Sequence, residues 1–357
     1  MLRFLAGRIF TMLVTALCLT FIVFFLTNLP PNLEKVAKSE LGARISDADV
    51  ESWLGRNGYA DPMIIRYGQW LGVVPGWTRT DAEDGRRFGR CLPDNGLAAV
   101  PPGASEMPPP TFCGVLQGDW GFSTVFRRDV GEVVLRGLAL TGKLMFWVTV
   151  VMIPGALIIG VLAGMREGSR LDRSLSTVSI VSTATPEYVS GVVFIALLTP
   201  TVFGYRLFNG SATTAMEDAT FYNFTLPVVT IALYGMGYIA RMTRASMTEV
   251  MTAQYIRTAR LKGVTFGNIV MKHALRNALI APFTVIMLQF PWLLNGVVIV
   301  ETLFNYKGFG WTLVEAAGNN DIELLLGVSV VSVLVVLVTQ LISDIGYVFL
   351  NPRIRIS

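Results

Sequence analysis

Long uncharged runs are the feature that most limits how this chain can fold. Five stretches of at least twenty residues carry no charged side chain: Ile9–Leu33, Leu144–Met165, Ala219–Ala240, Asn277–Val300 and Leu324–Ser343. A sixth, Ser174–Pro200, is interrupted only by Glu187. Since about twenty apolar residues cross the ~30 Å hydrocarbon core of a bilayer as a helix, we predict an all-α integral membrane protein with six transmembrane helices.

The composition excludes a soluble protein of this size. Of the 357 residues, 52% are hydrophobic and only 15% are charged, against about 25% charged residues in soluble domains. Arg3 and Arg8 precede the first run, as basic residues would in a signal peptide. That run is too long for a signal peptide and lacks a small-residue cleavage site, so we expect an uncleaved anchor.

The distribution of basic residues predicts the orientation, because lysine and arginine in short loops stay on the cytoplasmic side. With the N-terminus inside, the cytoplasmic side holds Arg3, Arg8, Arg166, Arg170, Arg173, Arg241, Arg244, Arg257, Arg260, Lys262, Lys272, Arg276, Arg353 and Arg355. The short outer loops hold only Arg206 and Lys307. We therefore predict that both termini are cytoplasmic. The net charge of +4 reflects this bias and does not indicate nucleic-acid binding.

The segment between the first two spans, residues 34–136, is long enough to be a folded outer excursion. It mixes acidic and basic residues, and its middle, Pro75–Pro110, is rich in proline and glycine and predicts irregular loop. Cys91 and Cys113 flank much of that loop, whereas Cys18 lies in the first span. We expect a Cys91–Cys113 disulfide, contributing on the order of 3 kcal/mol by chain-entropy estimates. Two free thiols are the alternative.

A basic hairpin lies between the uncharged runs Ala219–Ala240 and Asn277–Val300. Residues 252–262 contain strong helix formers, Gly263 can end that helix, and Thr265 can cap the next one. In the second helix an apolar stripe is predicted at Phe266, Ile269, Val270, His273 and Ala274. Two short helices joined at a glycine could insert into a groove of another protein. A solvated basic loop is the alternative.

The chain carries no sign of enzymatic activity. It lacks the glycine-rich G-x-x-x-x-G-K-[ST] phosphate loop, and one histidine with scattered cysteines makes no metal cluster. No paired nucleophile and base supports a membrane protease, and no dense cysteines or repeats support a receptor module. Charges inside a membrane are functional candidates, so Glu187 and Asp344 leave an ion-coupled secondary transporter open. Gln289, Pro291 and Asn295 could line a path with Glu187, although ordinary helix packing explains them equally.

Segments along nearly the whole chain resemble the permeases of binding-protein-dependent ABC importers, in their oligopeptide/dipeptide subfamily. The hairpin matches that subfamily at Tyr255, Ile256, Arg257, Thr258, Ala259, Arg260, Lys262 and Gly263, then at His273, Ala274, Leu275, Arg276, Asn277, Ala278, Leu279 and Ile280. Further matching segments are MLRFLAGRIF at 1–10, RYGQWLG at 66–72, GDWGFS at 118–123, GSRLDRSLS at 168–176, ARMTRASMTEV at 240–250, ETLFNYKGFGWTLVEA at 301–316 and DIGYVFLNPRIR at 344–355.

The resemblance implies a type I ABC importer permease fold with a large periplasmic segment between helices 1 and 2. Its divisions would be residues 1–33 with helix 1, the periplasmic segment 34–136, and a five-helix core 137–357 with a coupling hairpin at 243–280. The implied ATPase-coupling residues are Tyr255, Arg257, Thr258, Ala259, Arg260, Lys262, Gly263, His273, Leu275, Arg276 and Asn277.

The resemblance also implies partners and a location. These are a second permease, two ATPase subunits that hold ATP and Mg, a periplasmic solute-binding protein and the lipid of a bacterial inner membrane. The chain itself would bind no cofactor. Peptides are the expected substrates, with opines, oligosaccharides and metal chelates as alternatives.

Three departures from the family pattern stand out. Residues 73–117 include about forty that typical relatives lack; Arg257, Thr258 and Ala259 replace the general Glu-Ala-Ala; and Pro30, Pro31 and Asn32 replace a small acidic turn. Two of the three lie on the outer face, where a binding protein would dock, and they leave the substrate open.

Overall fold

The computed structural model describes residues 2–42, 44–80, 87–91, 112–200 and 207–350. The chain forms two compact units. Unit 1 comprises residues 1–8, 137–311 and 335–357, and unit 2 comprises residues 9–136 and 312–334. The sequence placed residues 312–334 in the domain 137–357, whereas they pack with the segment that precedes the second span.

Helices dominate the described residues. They are α1 Leu2–Thr27, α2 Pro30–Leu41, α3 Asp47–Arg56, α4 Met63–Leu71, α5 Val130–Gly164, α6 Arg170–Ala184, α7 Glu187–Leu198, α8 Phe221–Met251, α9 Gln254–Leu261, α10 Phe266–Asn268, a π-helix Ile269–Ala274, α11 Leu275–Ala278, α12 Ile280–Leu303, α13 Phe309–Gly318 and α14 Ile322–Leu350. Two short antiparallel pairs join β1 Thr78–Thr80 to β2 Arg87–Gly89, and β3 Phe122–Ser123 to β4 Arg128–Asp129.

Four of these helices, α1, α5, α8 and α14, are by themselves long and apolar enough to cross a membrane. Two bent pairs add to them: α6 with α7, bent by 106°, and residues 266–278 with 280–289, bent by 49°. If each bent pair is one span, the described residues hold six candidate spans by length and composition. The prediction of an all-helical membrane protein is confirmed.

The first span is shorter than its uncharged run. Helix α1 ends at Thr27, where the sequence predicted a span to residue 33. Leu29 is extended, with ψ 146°, and Pro30 begins α2. A residue before proline avoids the helical region, and proline suits the first position of a helix because it lacks an N–H group. The two prolines therefore start a separate helix, α2, which buries Leu33 and Ala37.

The third predicted span, Ser174–Pro200, is not one straight helix. Helix α6 ends at Ala184, Thr185 is extended, and α7 starts at Glu187 directly after Pro186. Proline cannot donate the backbone hydrogen bond that a continuous helix needs, and it keeps the preceding residue out of the helical region. Pro186 therefore marks the place where the two helices meet at 106°.

The core of unit 1 lies between α5 and α8, with α7 and α12 packed beside them. Leu144, Val148 and Met152 of α5 and Ile231 of α8 are fully buried in it. Helices α6 and α8 approach closely at Gly237, where a Cβ atom would lie 2.5 Å from the Ser179 carbonyl oxygen. Only glycine permits that approach.

A buried carboxylate shapes the loop after α12. Glu301 is fully buried and accepts hydrogen bonds from the Thr141 hydroxyl and from the Trp311 backbone N–H at 2.9 Å. The Thr141 oxygen in turn accepts from the Phe309 N–H at 2.8 Å. A buried charge is tolerated when such donors surround it, so Glu301 fixes residues 304–311 against α5 at Thr141.

Unit 2 packs around Trp70. Phe24, Tyr67, Ile322 and Leu326 are buried with it in one cluster. Asp321 joins the segment 312–334 to this unit, because its Oδ2 atom accepts from the Ser123 hydroxyl at 2.7 Å and from the Val125 N–H at 3.2 Å. Neither partner is close to Asp321 in sequence. Domains predicted as continuous stretches of the chain therefore separate Asp321 from Ser123 and Val125.

Residues 73–117 are described in part, and 81–86 and 92–111 lie outside the described residues together with most of the predicted irregular loop. Cys91 and Cys113 form a disulfide with 5.5 Å between their Cα atoms. A Cβ atom at Gly76 would lie 2.1 Å from the Cys91 sulfur. The disulfide therefore packs directly on the chain that follows α4.

Candidate functional site

The hairpin at residues 254–278 begins with α9, which ends in a Schellman motif. Gly263 adopts φ 76°, a conformation that favours glycine. Its N–H donates to the Arg260 carbonyl at 3.0 Å, and the Val264 N–H donates to the Ala259 carbonyl at 3.2 Å. These two bonds satisfy carbonyl groups that the helix end would leave unpaired. Gly263 thus ends the first arm, as the sequence predicts.

An apolar cluster holds the two arms together. Ile256 and Ala259 of α9 are buried against Ile269, Val270, Ala274 and Ala278 of the second arm and Met247 of α8. Ala259 was predicted to contact a partner, but its side chain lies in this cluster. It supports the hairpin from within.

The second arm differs from the predicted helix. Thr265 occupies the position before α10, but its side chain makes no capping hydrogen bond among the described residues. Residues 269–274 form a π-helix, whose wider i→i+5 turn rotates the following side chains relative to an α-helix. His273, predicted on the buried stripe, is exposed as a result. Phe266, at the start of that stripe, is also exposed, with the Arg166 guanidinium 5.6 Å from its ring centroid.

The outward face of the hairpin carries basic side chains around two strongly exposed apolar side chains. Leu261 is 81% exposed and Met271 is 65% exposed. The exposed polar and basic side chains include Tyr255, Arg257, Thr258, Arg260, Lys262, Lys272, His273, Arg276 and Asn277. No acidic residue occurs between positions 250 and 300. We call the surface formed by Leu261, Met271 and these side chains the coupling face.

Hydrogen bonds hold the coupling face in shape. The Asn277 side-chain amide donates to the Tyr255 hydroxyl at 3.1 Å and to the His273 carbonyl at 3.3 Å, so it joins the two arms. The Ser246 hydroxyl donates to the Ala278 carbonyl at 2.8 Å and joins the second arm to α8. Leu275, also predicted at this site, is half-buried. The hairpin is therefore packed and hydrogen-bonded onto the end of α8.

A salt bridge that the sequence reasoning missed connects α8 to α6. The Arg244 guanidinium contacts both carboxylate oxygens of Asp172, at 2.5 and 2.8 Å, and the Asp172 side chain is 3% exposed. Asp172 also accepts from the Gly168 N–H at 2.8 Å near the start of α6. Asp172 and Arg244 lie in the segments 168–176 and 240–250, which resemble the permease family. That resemblance was the only indication in the sequence that these residues matter.

The predicted path residues lie on two helices, Glu187 on α7 and the other three on α12. Glu187 is half-buried at the first position of α7, beyond the bend, and not in the middle of a straight span. Gln289 is buried in α12. Pro291 and Asn295 lie in the same helix, and their side chains are outside the described residues.

The second intramembrane charge has a partner on α1. The Asp344 carboxylate lies 3.4 Å from the Arg8 guanidinium. This ion pair accounts for the charge of Asp344 without a proton-carrying role. Within the described part of the chain, no three His, Cys, Asp or Glu side chains meet as a metal site.

Comparison with known proteins gives a consistent result. Residues 156–356 match the model of the family described as "Binding-protein-dependent transport system inner membrane component". A probable peptide ABC transporter permease from Sinorhizobium fredii is 34% identical over 68% of this chain and 77% of the relative. The dipeptide transport system permease DppB of Haemophilus influenzae is 30% identical over 68% and 78%.

Two further matches extend the comparison. The oligopeptide transport system permease AppB of Bacillus subtilis is 29% identical over 87% of each chain. Among solved structures, an amino acid ABC transporter matches with a TM-score of 0.46 and 17% identity, covering 60% of this chain and 93% of the other. The family match and the relatives at 30% identity or more decide the assignment. The chain is a member of the binding-protein-dependent transport system inner membrane components, and it is a peptide-type ABC importer permease.

Proposed function

We propose that this chain forms the translocation path of an ATP-driven importer of di- and oligopeptides and couples that path to separate ATPase subunits. Family membership makes it a transport component of the membrane and not a catalytic enzyme. The observation that carries the coupling role is the coupling face, in which Leu261 and Met271 project from a basic hairpin. Exposed apolar side chains with a charged rim are typical of a docking surface.

The proposed partners follow from two features of the chain: its sequence has no ATP-binding phosphate loop, and its coupling face is basic with exposed apolar side chains. ATP and Mg would be held by two ATPase subunits, each with a groove that is apolar at its base and acidic at its rim. A second permease would complete the path, and a periplasmic binding protein would deliver the substrate. Peptide is the proposed substrate class because the relatives are named as oligopeptide and dipeptide permeases.

The proposed mechanism is alternating access. Closure of the ATPases would move the hairpins, and each hairpin would carry α8 with it because Ser246 and Met247 join the two. The Arg244–Asp172 salt bridge would transmit that movement to α6. Packed helices shift between discrete arrangements, so this chain supplies the mechanical connection.

We propose a bacterial inner-membrane location with both termini and the coupling face in the cytoplasm. Lys262→Cys, in a Cys18→Ser background, should react with a membrane-impermeant maleimide only in inside-out vesicles, because the residue lies on the exposed basic hairpin. Ser39→Cys on the exposed face of α2 is the matched site and should react only in right-side-out vesicles. The reverse labelling pattern would reject this orientation.

Purification of the full chain from its native membrane in mild detergent tests the function. We expect a second permease and ATPase subunits to co-purify, and ATP hydrolysis to rise when the cognate binding protein and peptide are added. A chain that purifies alone and supports proton-driven uptake in vesicles would contradict the proposal.

A further inference from the structure

Unit 2 contains a cavity of about 170 Å³ that the transport mechanism does not use. Six aromatic residues contribute to its walls: Phe24, Trp53, Tyr59, Trp70, Trp77 and Phe122. Since a water molecule occupies about 30 Å³ of liquid and pockets for drug-sized ligands exceed about 300 Å³, the cavity suits a ligand no larger than a single amino acid.

Arg90 lines this cavity with an unused pair of donors. Its Nε and Nη2 atoms are buried and have no hydrogen-bond partner among the described residues. Nε is 3.9 Å from the Asp119 carboxylate and Nη1 is 3.6 Å from the Glu323 carboxylate, both beyond hydrogen-bond range. The Nε and Nη2 edge of a guanidinium is the geometry that binds a carboxylate through two parallel bonds.

Arg66, the other arginine of the cavity, is already committed. Its Nη2 atom donates to the Asn28 side-chain oxygen, and its guanidinium lies 5.0 Å from the centroid of the Tyr59 ring. Burial lowers the pKa of Arg66 from its usual value, and packing and hydrogen bonding occupy its faces. Arg90 is therefore the cavity's candidate for binding an anion.

The cavity also offers groups that suit a cation. The Glu323 Oε2 atom is buried without a hydrogen-bond partner among the described residues. Four carboxyl groups line the cavity against two guanidinium groups: Glu40, Asp119, Asp321 and Glu323 against Arg66 and Arg90. This acidic excess and the aromatic faces favour an ammonium group.

Trp70 provides a third observation that points to a ligand. Its side chain is 1% exposed, and its indole Nε1 donor has no hydrogen-bond partner within the described ranges. Buried polar groups are almost always paired. An indole donor, a carboxylate oxygen and a guanidinium edge that have no hydrogen-bond partner among the described residues lie around one small cavity and suggest a ligand that carries both charges.

We propose that this cavity binds one free α-amino acid as a zwitterion, with its carboxylate on the Nε and Nη2 edge of Arg90 and its ammonium at Glu323. The cavity belongs to unit 2 and the coupling face to unit 1, and binding at the cavity does not depend on the substrate of transport. It gives the permease a site at which a free amino acid can stabilise unit 2.

The disulfide positions Arg90 for this role. Cys91 directly follows Arg90, and its partner Cys113 precedes Gly114, where a Cβ atom would lie 2.6 Å from the Trp70 carbonyl oxygen. The bond therefore holds the chain at Arg90 against the segment that carries Trp70. Reduction should release Arg90 and weaken binding.

The test measures binding of radiolabelled L-alanine to the full chain in lipid nanodiscs, without ATPase subunits or binding protein. We expect saturable binding of one molecule per chain. Unlabelled L-alanine should compete, whereas N-acetyl-L-alanine, which lacks the ammonium, and L-alaninamide, which lacks the carboxylate, should not. Arg90→Lys keeps the charge but loses the two-donor edge, and it should weaken binding at least tenfold, as should Glu323→Gln.

Matched controls come from an exposed ion pair of the same unit. Arg128 and Glu132 lie 2.9 Å apart with side chains 55% and 60% exposed, so Arg128→Lys and Glu132→Gln should leave the affinity unchanged. Cys91→Ser with Cys113→Ser should lower it, with each variant checked for monodisperse elution. Absence of saturable binding, equal competition by both derivatives, or full affinity in Arg90→Lys and Glu323→Gln would overturn the proposal. Co-purification of ATPase subunits is independent of every one of these outcomes.

Discussion

Replacing Leu261 with aspartate is expected to abolish ATP-driven uptake while the protein still folds in the membrane. Leu261 is 81% exposed and takes no part in the buried cluster of the hairpin. In a docked complex its side chain would lie in an apolar groove, where a carboxylate must be desolvated beside an acidic rim. Central interface residues contribute about 2 kcal/mol or more, so we expect at least a 30-fold loss of ATPase subunit binding.

The measurement is the amount of ATPase subunit that co-purifies, together with uptake in vesicles. Leu41→Asp is the matched control, because Leu41 is also an exposed leucine at the end of a helix, at 45% exposure, but lies in unit 2. It should retain the ATPase subunits. If Leu261→Asp kept both the subunits and the uptake, the coupling face would have to be placed elsewhere on the chain.

The hairpin shows how far local sequence reasoning extends. Gly263 could be predicted because a helix end that needs positive φ selects glycine, whatever the surrounding fold. The π-helix at 269–274 could not, because an α-turn and a π-turn use the same residue types and only packing against α8 and α9 selects between them. The predicted position of His273 on the buried stripe was wrong for this reason.

The two most exposed apolar residues of the hairpin, Leu261 and Met271, were also overlooked, although the sequence held a signal for Leu261. On α9 the buried residues Ile256 and Ala259 are three positions apart and define the inner face. Leu261 follows two positions later and therefore points away from that face. An apolar residue on the outer side of a basic helix is the pattern that indicates a docking side chain.

The predicted number of six membrane spans is reached if each bent pair is one span, whereas the bends were not predicted. The hydrophobic thickness of the bilayer sets the length of an uncharged run, so all six runs coincide with candidate spans or bent pairs. Pro30 and Pro186 were visible in the sequence and mark the two places where helices begin anew. The size of a bend depends on neighbouring helices, which a single segment does not reveal.

Contacts between residues that are far apart in the chain could not be predicted from the sequence. Asp172 and Arg244 are 72 positions apart, and Ser123 and Asp321 are 198 apart. Periodicity and capping concern neighbours within a few residues, whereas these pairs depend on the final packing. Asp172, Arg244 and Ser123 nevertheless lie in segments that matched the family, whereas Asp321 does not. The resemblance therefore marked three of these four residues without giving the reason.

Replacing Asp172 with asparagine is expected to destabilise unit 1 and to uncouple ATP hydrolysis from uptake. The change leaves the Arg244 guanidinium without its bidentate partner and weakens the hydrogen bond from the Gly168 N–H. Breaking one partner of a buried pair costs about 3–5 kcal/mol, and we expect the lower end because the Arg244 side chain is 32% exposed. Thermal unfolding and the ratio of peptide imported to ATP hydrolysed measure the two effects.

A double-mutant cycle separates stability from transmission. Arg244→Gln alone should resemble Asp172→Asn, whereas Arg241→Gln, on an exposed arginine of the same helix, should change neither quantity. In the double variant Asp172→Asn with Arg244→Gln no unpaired charge is buried, so most of the lost stability should return. Uptake per ATP should stay low, because two neutral amides connect α6 to α8 less firmly than a bidentate ion pair. Recovery of both quantities together would mean that the pair only stabilises the fold and transmits no movement.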